Sequence, residues 1–195
     1  MRNSVKLKRI FQLIGLALLV CAGSLGYLIW KELKGPTMGG DFSLTLRANP
    51  WTFSEKAKSV NLIYFGYAKC PDVCPMSLSY VGTAFSKLSQ EELKKIRFLF
   101  VSVDQENDDP NNVADYATNF FPEFLGLSGS KKQIDETIKL FPASYMVEKN
   151  PKSYLGYSII HTDRVFILNK KGIVIDTIDS LRDSDVILQK IKEHI

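Results

Sequence analysis

The 195-residue chain is 45% hydrophobic and 24% charged, which suits one compact domain with a sizeable core plus a short appendage. Its formal charge of +4 is spread as lysines among acidic residues, with no basic block, which argues against nucleic-acid binding. There are three cysteines and two histidines, so cysteine or imidazole chemistry has few residues to draw on.

The appendage comes first. Arg2, Lys6, Lys8 and Arg9 precede an uncharged run from Ile10 to Trp30, and those 21 residues match one membrane-spanning helix. Basic residues ahead of the run predict a cytoplasmic N-terminus, with Tyr27 and Trp30 at the far interface and the remainder beyond it. The expectation is a single-pass protein of the bacterial inner membrane whose domain faces the periplasm. A cleaved signal peptide is the rival, with Val20-Cys21-Ala22 as its cleavage site. The anchor is preferred because apolar residues continue as Leu25, Tyr27, Leu28, Ile29 and Trp30, and Val20 is a poor match to the residue expected before a lipid-attachment cysteine at Cys21. Residues 1–35 are read as anchor and linker, and residues 36–195 as the domain.

Within the domain, Gly39–Leu46 reads as a strand of a small hairpin and Trp51–Ser54 as its return. Val60–Tyr67 is a buried-type strand, rich in β-branched and aromatic residues. Tyr67-Ala68-Lys69-Cys70-Pro71-Asp72-Val73-Cys74-Pro75 is the turn that follows it. A helix runs from Pro75 to Leu88, with Met76, Val81, Phe85 and Leu88 at roughly helical spacing. Arg97–Val103 is a second buried-type strand, ending in the acidic loop Asp104–Asp109. Pro110 opens a helix carrying Val113, Tyr116, Ala117 and Phe120 on one face. Phe124–Leu127 is a short strand, and Ser130 caps a helix through Leu140. An irregular segment leads to Ile159–Leu168 and Ile173–Ile178, which flank the hairpin turn Asn169-Lys170-Lys171-Gly172. A last helix spans Asp183–His194. Strands alternating with helices, then a hairpin and a terminal helix, describe an α/β fold: a thioredoxin-like mixed sheet flanked by helices, joined to the N-terminal transmembrane helix.

Cys70 and Cys74 stand at a strand-to-helix turn, where the partial positive charge of a helix N-terminus favours thiolates. A structural disulfide, or two small buried hydrophobes, is a common fate for such a pair. The spacing is C-x-x-x-C, whereas the redox pair of a thioredoxin reads C-x-x-C. The extra residue widens the turn, making a metal between the sulfurs more plausible while a disulfide stays sterically possible. His161, among Ile159, Ile160, Val165 and Phe166, has the surroundings of a packed core histidine. In a thioredoxin-like topology, however, the region leading into its hairpin faces the cysteine turn, 87 residues from Cys74 in sequence. Two thiolates and one imidazole suit Cu(I) and can also hold Cu(II), whereas structural zinc usually takes four protein ligands. The acidic loop supports two readings. It is a solvated turn capping the next helix, or it places Asp104 or Asp108 near the cysteines, where negative charge disfavours thiolates.

These residues resemble the Sco/SenC proteins, membrane-anchored copper proteins that help assemble cytochrome c oxidase. The resemblance is carried by Gly39-Gly40-Asp41-Phe42-Ser43-Leu44, Tyr64-Phe65-Gly66-Tyr67, Cys70-Pro71-Asp72-Val73-Cys74-Pro75, Val101-Ser102-Val103-Asp104 with Asp108, Gly126-Leu127-Ser128-Gly129 and His161-Thr162, in the family's order. It implies Cys70, Cys74 and His161 as ligands of Cu(I) or Cu(II), with cytochrome c oxidase subunit two and a copper donor protein as partners. The family commonly has Asp where this chain has Ile160, and Pro where it has Gln105. Two roles compete: a chaperone delivering copper, which needs His161, and a thiol-disulfide oxidoreductase reducing the acceptor's copper-ligand cysteines with Cys70 and Cys74, which does not. A thiol peroxidase is disfavoured because no activating Arg or Thr motif accompanies the cysteines.

Overall fold

The computed structural model describes residues 15–29 and 37–195. The chain falls into two units, Met1–Thr37 and Met38–Ile195. In the first unit, residues 15–29 form helix α1, on which Leu16, Leu18, Leu19, Val20, Leu25, Leu28 and Ile29 are exposed. Among the described residues no helix is long and apolar enough to cross a membrane. The basic flank and both ends of the expected 10–30 span lie outside the described residues.

The second unit is built on a five-stranded sheet in the order β5-β4-β3-β8-β9. β3 (Val60–Gly66) is its centre, and all seven residues are buried. It runs parallel to β4 (Ile96–Ser102), which runs parallel to β5 (Leu125–Leu127). On its other side β3 pairs antiparallel with β8 (Val165–Asn169), and β8 with β9 (Val174–Ile178). Parallel neighbours require helical crossovers. These are α3 (Val73–Ser86) with α4 (Gln90–Lys95) between β3 and β4, and α5 (Pro110–Thr118) between β4 and β5. Beyond β5, α6 (Lys131–Ile138) follows, and α7 (Ser184–Lys192) closes the chain and packs on α3. A small hairpin, β1 (Ser43–Leu46) with β2 (Asn49–Thr52), leads into the short helix α2 (Phe53–Lys56) and is tied to the segment after β5 by paired Thr45 and Ser128 backbone hydrogen bonds.

Three helix starts have a local cause. Asp109 accepts from the Asn111 and Asn112 amides with Pro110 as the first helical residue, so the acidic loop's last residue is a cap. Ser130 and Gln133 form a capping box on α6, as do Ser89 and Glu92 on α4. The α4 helix was absent from the expected elements although Ser89-Gln90-Glu91-Glu92 spells its cap. Expected Trp51–Ser54 as a strand also gives way, since Phe53 and Ser54 belong to α2.

The larger correction concerns the segment before β8. Residues expected to be irregular form a second antiparallel hairpin, β6 (Tyr145–Lys149) with β7 (Tyr157–His161), separate from the main sheet. The continuous strand expected over Ile159–Leu168 is therefore broken: β7 ends at His161 and β8 begins at Val165. β6 carries no buried residue, so it lacks the alternation that marks a strand in sequence and is held by its pairing with β7.

The core beneath the sheet is strongly aromatic. Phe98 lies 1% exposed between Phe85 and Phe124, with ring centroids 6.1 and 4.3 Å away. Truncating it removes a large side chain that its neighbours cannot replace. Phe98→Ala is expected to cost about 3–5 kcal/mol in denaturant unfolding; a loss below about 1 kcal/mol, within the range of surface changes, would show that this cluster is not rigidly packed.

Candidate metal centre

The site lies beyond the C-terminal ends of β3 and β4, where open α/β sheets place their binding crevices. β3 ends at Gly66, and the chain turns at once: the Cys70 amide donates to the Tyr67 carbonyl at 3.2 Å. The turn is fastened from outside at three points. The Ala68 amide donates to Asp108 Oδ2 at 2.7 Å, Lys69 Nζ to the Asn107 carbonyl at 2.8 Å, and Tyr154 Oη to the Lys69 carbonyl at 2.9 Å. Asp108 also accepts from Ser102 Oγ at 2.6 Å, while Asp104 accepts from Asn107 and Tyr157. Both carboxylates are buried, so the acidic loop is no solvated turn beyond its cap at Asp109: it is the frame that holds the cysteine turn. Burial raises the Asp108 carboxyl above its usual range, with the Ser102 and Ala68 bonds opposing.

α3 begins at Val73, two residues earlier than Pro75, so Cys74 is its second residue. Helix starts leave amides without intrahelical partners. One of them, the Cys74 N–H, points at Cys70 Sγ at 3.5 Å. Cys74 itself is fully buried, and its sulfur occupies space that any side chain at position 66 would take: a Cβ there would lie 2.9 Å from Cys74 Sγ. Gly66 is thus required by close approach, whatever its backbone angles.

His161 closes the triad from β7. Its Nε2 is 3.2 Å from Cys74 Sγ, and its Nδ1 is 3.3 Å from the Thr162 carbonyl oxygen. A carbonyl only accepts, so the ring donates from Nδ1 and its Nε2 faces the sulfurs. Tyr64 and Tyr67 meet the imidazole edge-on, at centroid distances of 5.8 and 6.1 Å. The ligand atoms of Cys70, Cys74 and His161 all lie within 4.8 Å of one another. The three expected residues are therefore brought together, with both thiols free.

The two thiols divide their roles. A hydrogen bond from the Cys74 thiol, and beyond it bonds from His161 and the Asp72 and Cys74 amides, hold the Cys70 thiol down at about 3 against the opposing effect of burial. Burial, and then the neighbouring Cys70, push Cys74 far up. The pair thus holds a half-exposed thiolate beside a buried protonated thiol.

Two features went unread in the sequence. Asp163, two residues after His161, takes hydrogen bonds from Tyr64 Oη at 2.9 Å and Ser77 Oγ at 3.0 Å and an ion pair from Arg182 at 3.2 Å. A carboxylate near the histidine thus exists, but Ile160, where the family commonly has Asp, is 55% exposed. His194 is also not the loose end it looks in sequence. It is 3.0 Å from Asp176, in the one other compact metal-ligand-type cluster among the described residues, Asp176–Glu193–His194. That cluster has a cation of its own, with Lys190 Nζ 2.5 Å from Asp176.

The SCO1/SenC family model matches residues 31–195. The chain is 29% identical over 159 residues to "Protein SCO2, mitochondrial" of Saccharomyces cerevisiae, covering 81% of this chain and 53% of that one. It thus spans about half the length of such curated relatives. Arabidopsis thaliana ScoI, solved with copper bound, superposes with a TM-score of 0.73 at 26% identity, over 80% of this chain and 97% of that one. A structure of BsSco, described as a member of the Sco family of cytochrome c oxidase assembly proteins, shares the fold with a TM-score of 0.59 at 21% identity, over 81% and 93% of the two chains.

Because Cys70 is ionised down to about pH 3, its alkylation rate is expected to stay nearly flat from pH 5 to pH 8, whereas an ordinary thiol near 8.5 would speed up about tenfold per unit. Cys74 is expected to resist alkylation throughout. Mass-spectrometric mapping of the modified residue against pH measures both; a Cys70 rate climbing tenfold per unit would contradict the thiolate.

Proposed function

Because the chain belongs to the SCO1/SenC family, we propose that its globular unit is a copper chaperone that takes up one copper ion through Cys70, Cys74 and His161 and passes it to the binuclear copper centre of cytochrome c oxidase. The observation that carries the reading is the convergence of two sulfurs and one imidazole nitrogen within 4.8 Å, from positions as far apart as 70 and 161. Soft thiolates favour Cu(I), and the imidazole lets the same set hold Cu(II). The Cys70 thiolate is ready to bind, whereas Cys74 must give up its proton, so uptake strengthens as pH rises. Half-exposed Cys70 is the sulfur that an acceptor's cysteine reaches first, as transfer by ligand exchange requires.

The acceptor in this reading is oxidase subunit two, and a separate donor protein loads the site. Residues 10–30 hold the chain in the bacterial inner membrane with the copper-binding unit in the periplasm, which is supported by the uncharged run behind four basic residues.

One observation favours a second role. An accessible thiolate beside a buried, protonated thiol is the division of labour of a reducing dithiol: Cys70 attacks a target disulfide and releases one target thiolate, Cys74 loses its proton and displaces the other target sulfur, and the pair becomes a disulfide as the target gains two electrons, one proton from Cys74 and a second from solvent.

Cys70→Ser and Cys74→Ser are expected to lose nearly all copper, measured by metal quantitation on the purified unit, because a hydroxyl is a poor Cu(I) ligand. His161→Ala is expected to keep Cu(I) between the thiolates but to lose stable Cu(II). In cells that variant separates the roles. Chaperoning predicts failed oxidase assembly, partly rescued by added copper, while nearly normal assembly in His161→Ala would identify thiol reduction as the main activity.

A further inference from the structure

Behind the triad lies a polar cluster that copper binding as described leaves unused. Asp163 sits in the three-residue link between His161, the last residue of β7, and Val165, the first of β8. Its Oδ1 accepts from Tyr64 Oη at 2.9 Å and Ser77 Oγ at 3.0 Å, both from residues only 1% exposed. Its Oδ2 faces Arg182 Nη2 at 3.2 Å, and Arg182 Nη1 also donates to Ser77 Oγ at 2.8 Å. Four distant stretches of chain, on β3, on α3, between β7 and β8, and between β9 and α7, therefore meet at one carboxylate.

Each buried partner of that carboxylate is also placed against a ligand. Ser77 stands three residues after Cys74 on α3, on the same helix face. Tyr64 packs edge-on against the His161 ring. The hairpin carrying His161 is otherwise tied to the cysteine turn and the acidic loop, through Tyr154 Oη to the Lys69 carbonyl and Tyr157 Oη to Asp104, and among the described residues no such bond ties it to α3. It is a two-stranded sheet whose β6 has no buried residue, and strand pairs of that kind are marginal on their own. Thr162 and Ser144 bond each other at the open end of the hairpin, which closes it without fixing it to α3. One residue further on, Asp163 makes the tie to α3 through Ser77.

We infer that Asp163 is a positioning residue: its carboxylate, held by Tyr64, Ser77 and Arg182, sets the distance at which His161 closes on Cys74 and so sets how strongly the site holds Cu(II). The inference rests on the ligand reading above and adds to it the residue that makes the third ligand reliable. The Asp163–Arg182 pair is more than a third exposed on both sides, and such pairs contribute little to stability. Whatever Asp163 adds to stability comes through Tyr64 and Ser77, whose hydroxyls it keeps paired, so the test measures unfolding separately from metal binding. Outer partners of metal ligands, by contrast, commonly change affinity 10- to 100-fold.

The test compares Cu(II) and Cu(I) binding, the Cu(II) absorption and electron paramagnetic resonance spectra, and thermal unfolding of the metal-free protein. Asp163→Ala is expected to weaken Cu(II) binding about 10- to 100-fold and to alter both spectra, with a smaller effect on Cu(I), whose two thiolates remain. Asp163→Asn keeps an acceptor oxygen for Tyr64 and Ser77 and is expected to restore most of the affinity and the parental spectra. If Asp163→Ala does not fold, Tyr64→Phe removes one hydroxyl donor and is expected to shift the spectra in the same direction. Parental Cu(II) affinity and spectra in the folded variant, with or without a lower unfolding temperature, would overturn the inference. His161→Ala is the control that separates the two claims. If it retains Cu(II), the ligand assignment falls and this inference with it, whereas loss in His161→Ala with parental binding in Asp163→Ala overturns the positioning role alone.

Discussion

Most of the site's geometry follows from one close approach: the Cys74 sulfur is buried against the backbone of Gly66, in space where a Cβ would sit 2.9 Å away. That contact sets the start of α3 against the end of β3. It makes Cys74 the inner sulfur and leaves Cys70, four residues earlier in the turn, as the outer one. Burial then decides the chemistry. A thiol in an apolar pocket resists ionisation, and its hydrogen bond stabilises a thiolate at the neighbouring, better solvated sulfur. The orphan amides at the head of α3 reinforce the same assignment.

The turn between the cysteines has no regular structure of its own to hold it, and the acidic loop provides the frame. Asp108 bridges the Ala68 amide and the Ser102 hydroxyl, which joins the ends of the two central parallel strands. Asp104 engages Tyr157 on β7. Two carboxylates are therefore buried in the frame of the cysteine turn, and burial raises the Asp108 carboxyl. Removing Asp108 would leave the buried Ser102 hydroxyl unpaired, a penalty of about 1–3 kcal/mol. The cysteine turn, the loop after β4 and the β6–β7 hairpin thus form one hydrogen-bonded assembly around a sheet end.

His161 depends on a different kind of support. The two cysteines belong to a strand-turn-helix unit anchored in the core, whereas the imidazole is delivered by a two-stranded sheet that shares no strand with the main one. A site built this way has a fixed half and a jointed half. For the copper transfer proposed above, this asymmetry lets one ligand leave before the others. The polar cluster around Asp163 joins that half to α3 through Ser77.

The buried strands, the cysteine turn and the three residues that meet at its end were legible in the chain alone. Leu62–Phe65 and Phe98–Val101 are continuous apolar runs, and parallel strands buried on both faces need such runs. The capped helices were equally legible, because Pro110 and Ser130 act on their own neighbours. Tertiary structure alone decided what depends on distant partners. β6 has no apolar alternation and is a strand only because β7 pairs with it, which is why the segment looked irregular and why His161 seemed to belong to the main sheet. Asp104 and Asp108 allowed two readings, a solvated helix cap or carboxylates beside the cysteines, since a charged run normally faces water and nothing local shows otherwise. They are buried because Ala68, Ser102 and Tyr157 arrive from elsewhere in the chain to bond them. Asp163 gave no signal for the same reason: its partners lie 99, 86 and 19 residues away, and no local pattern encodes a hydrogen bond made across that separation.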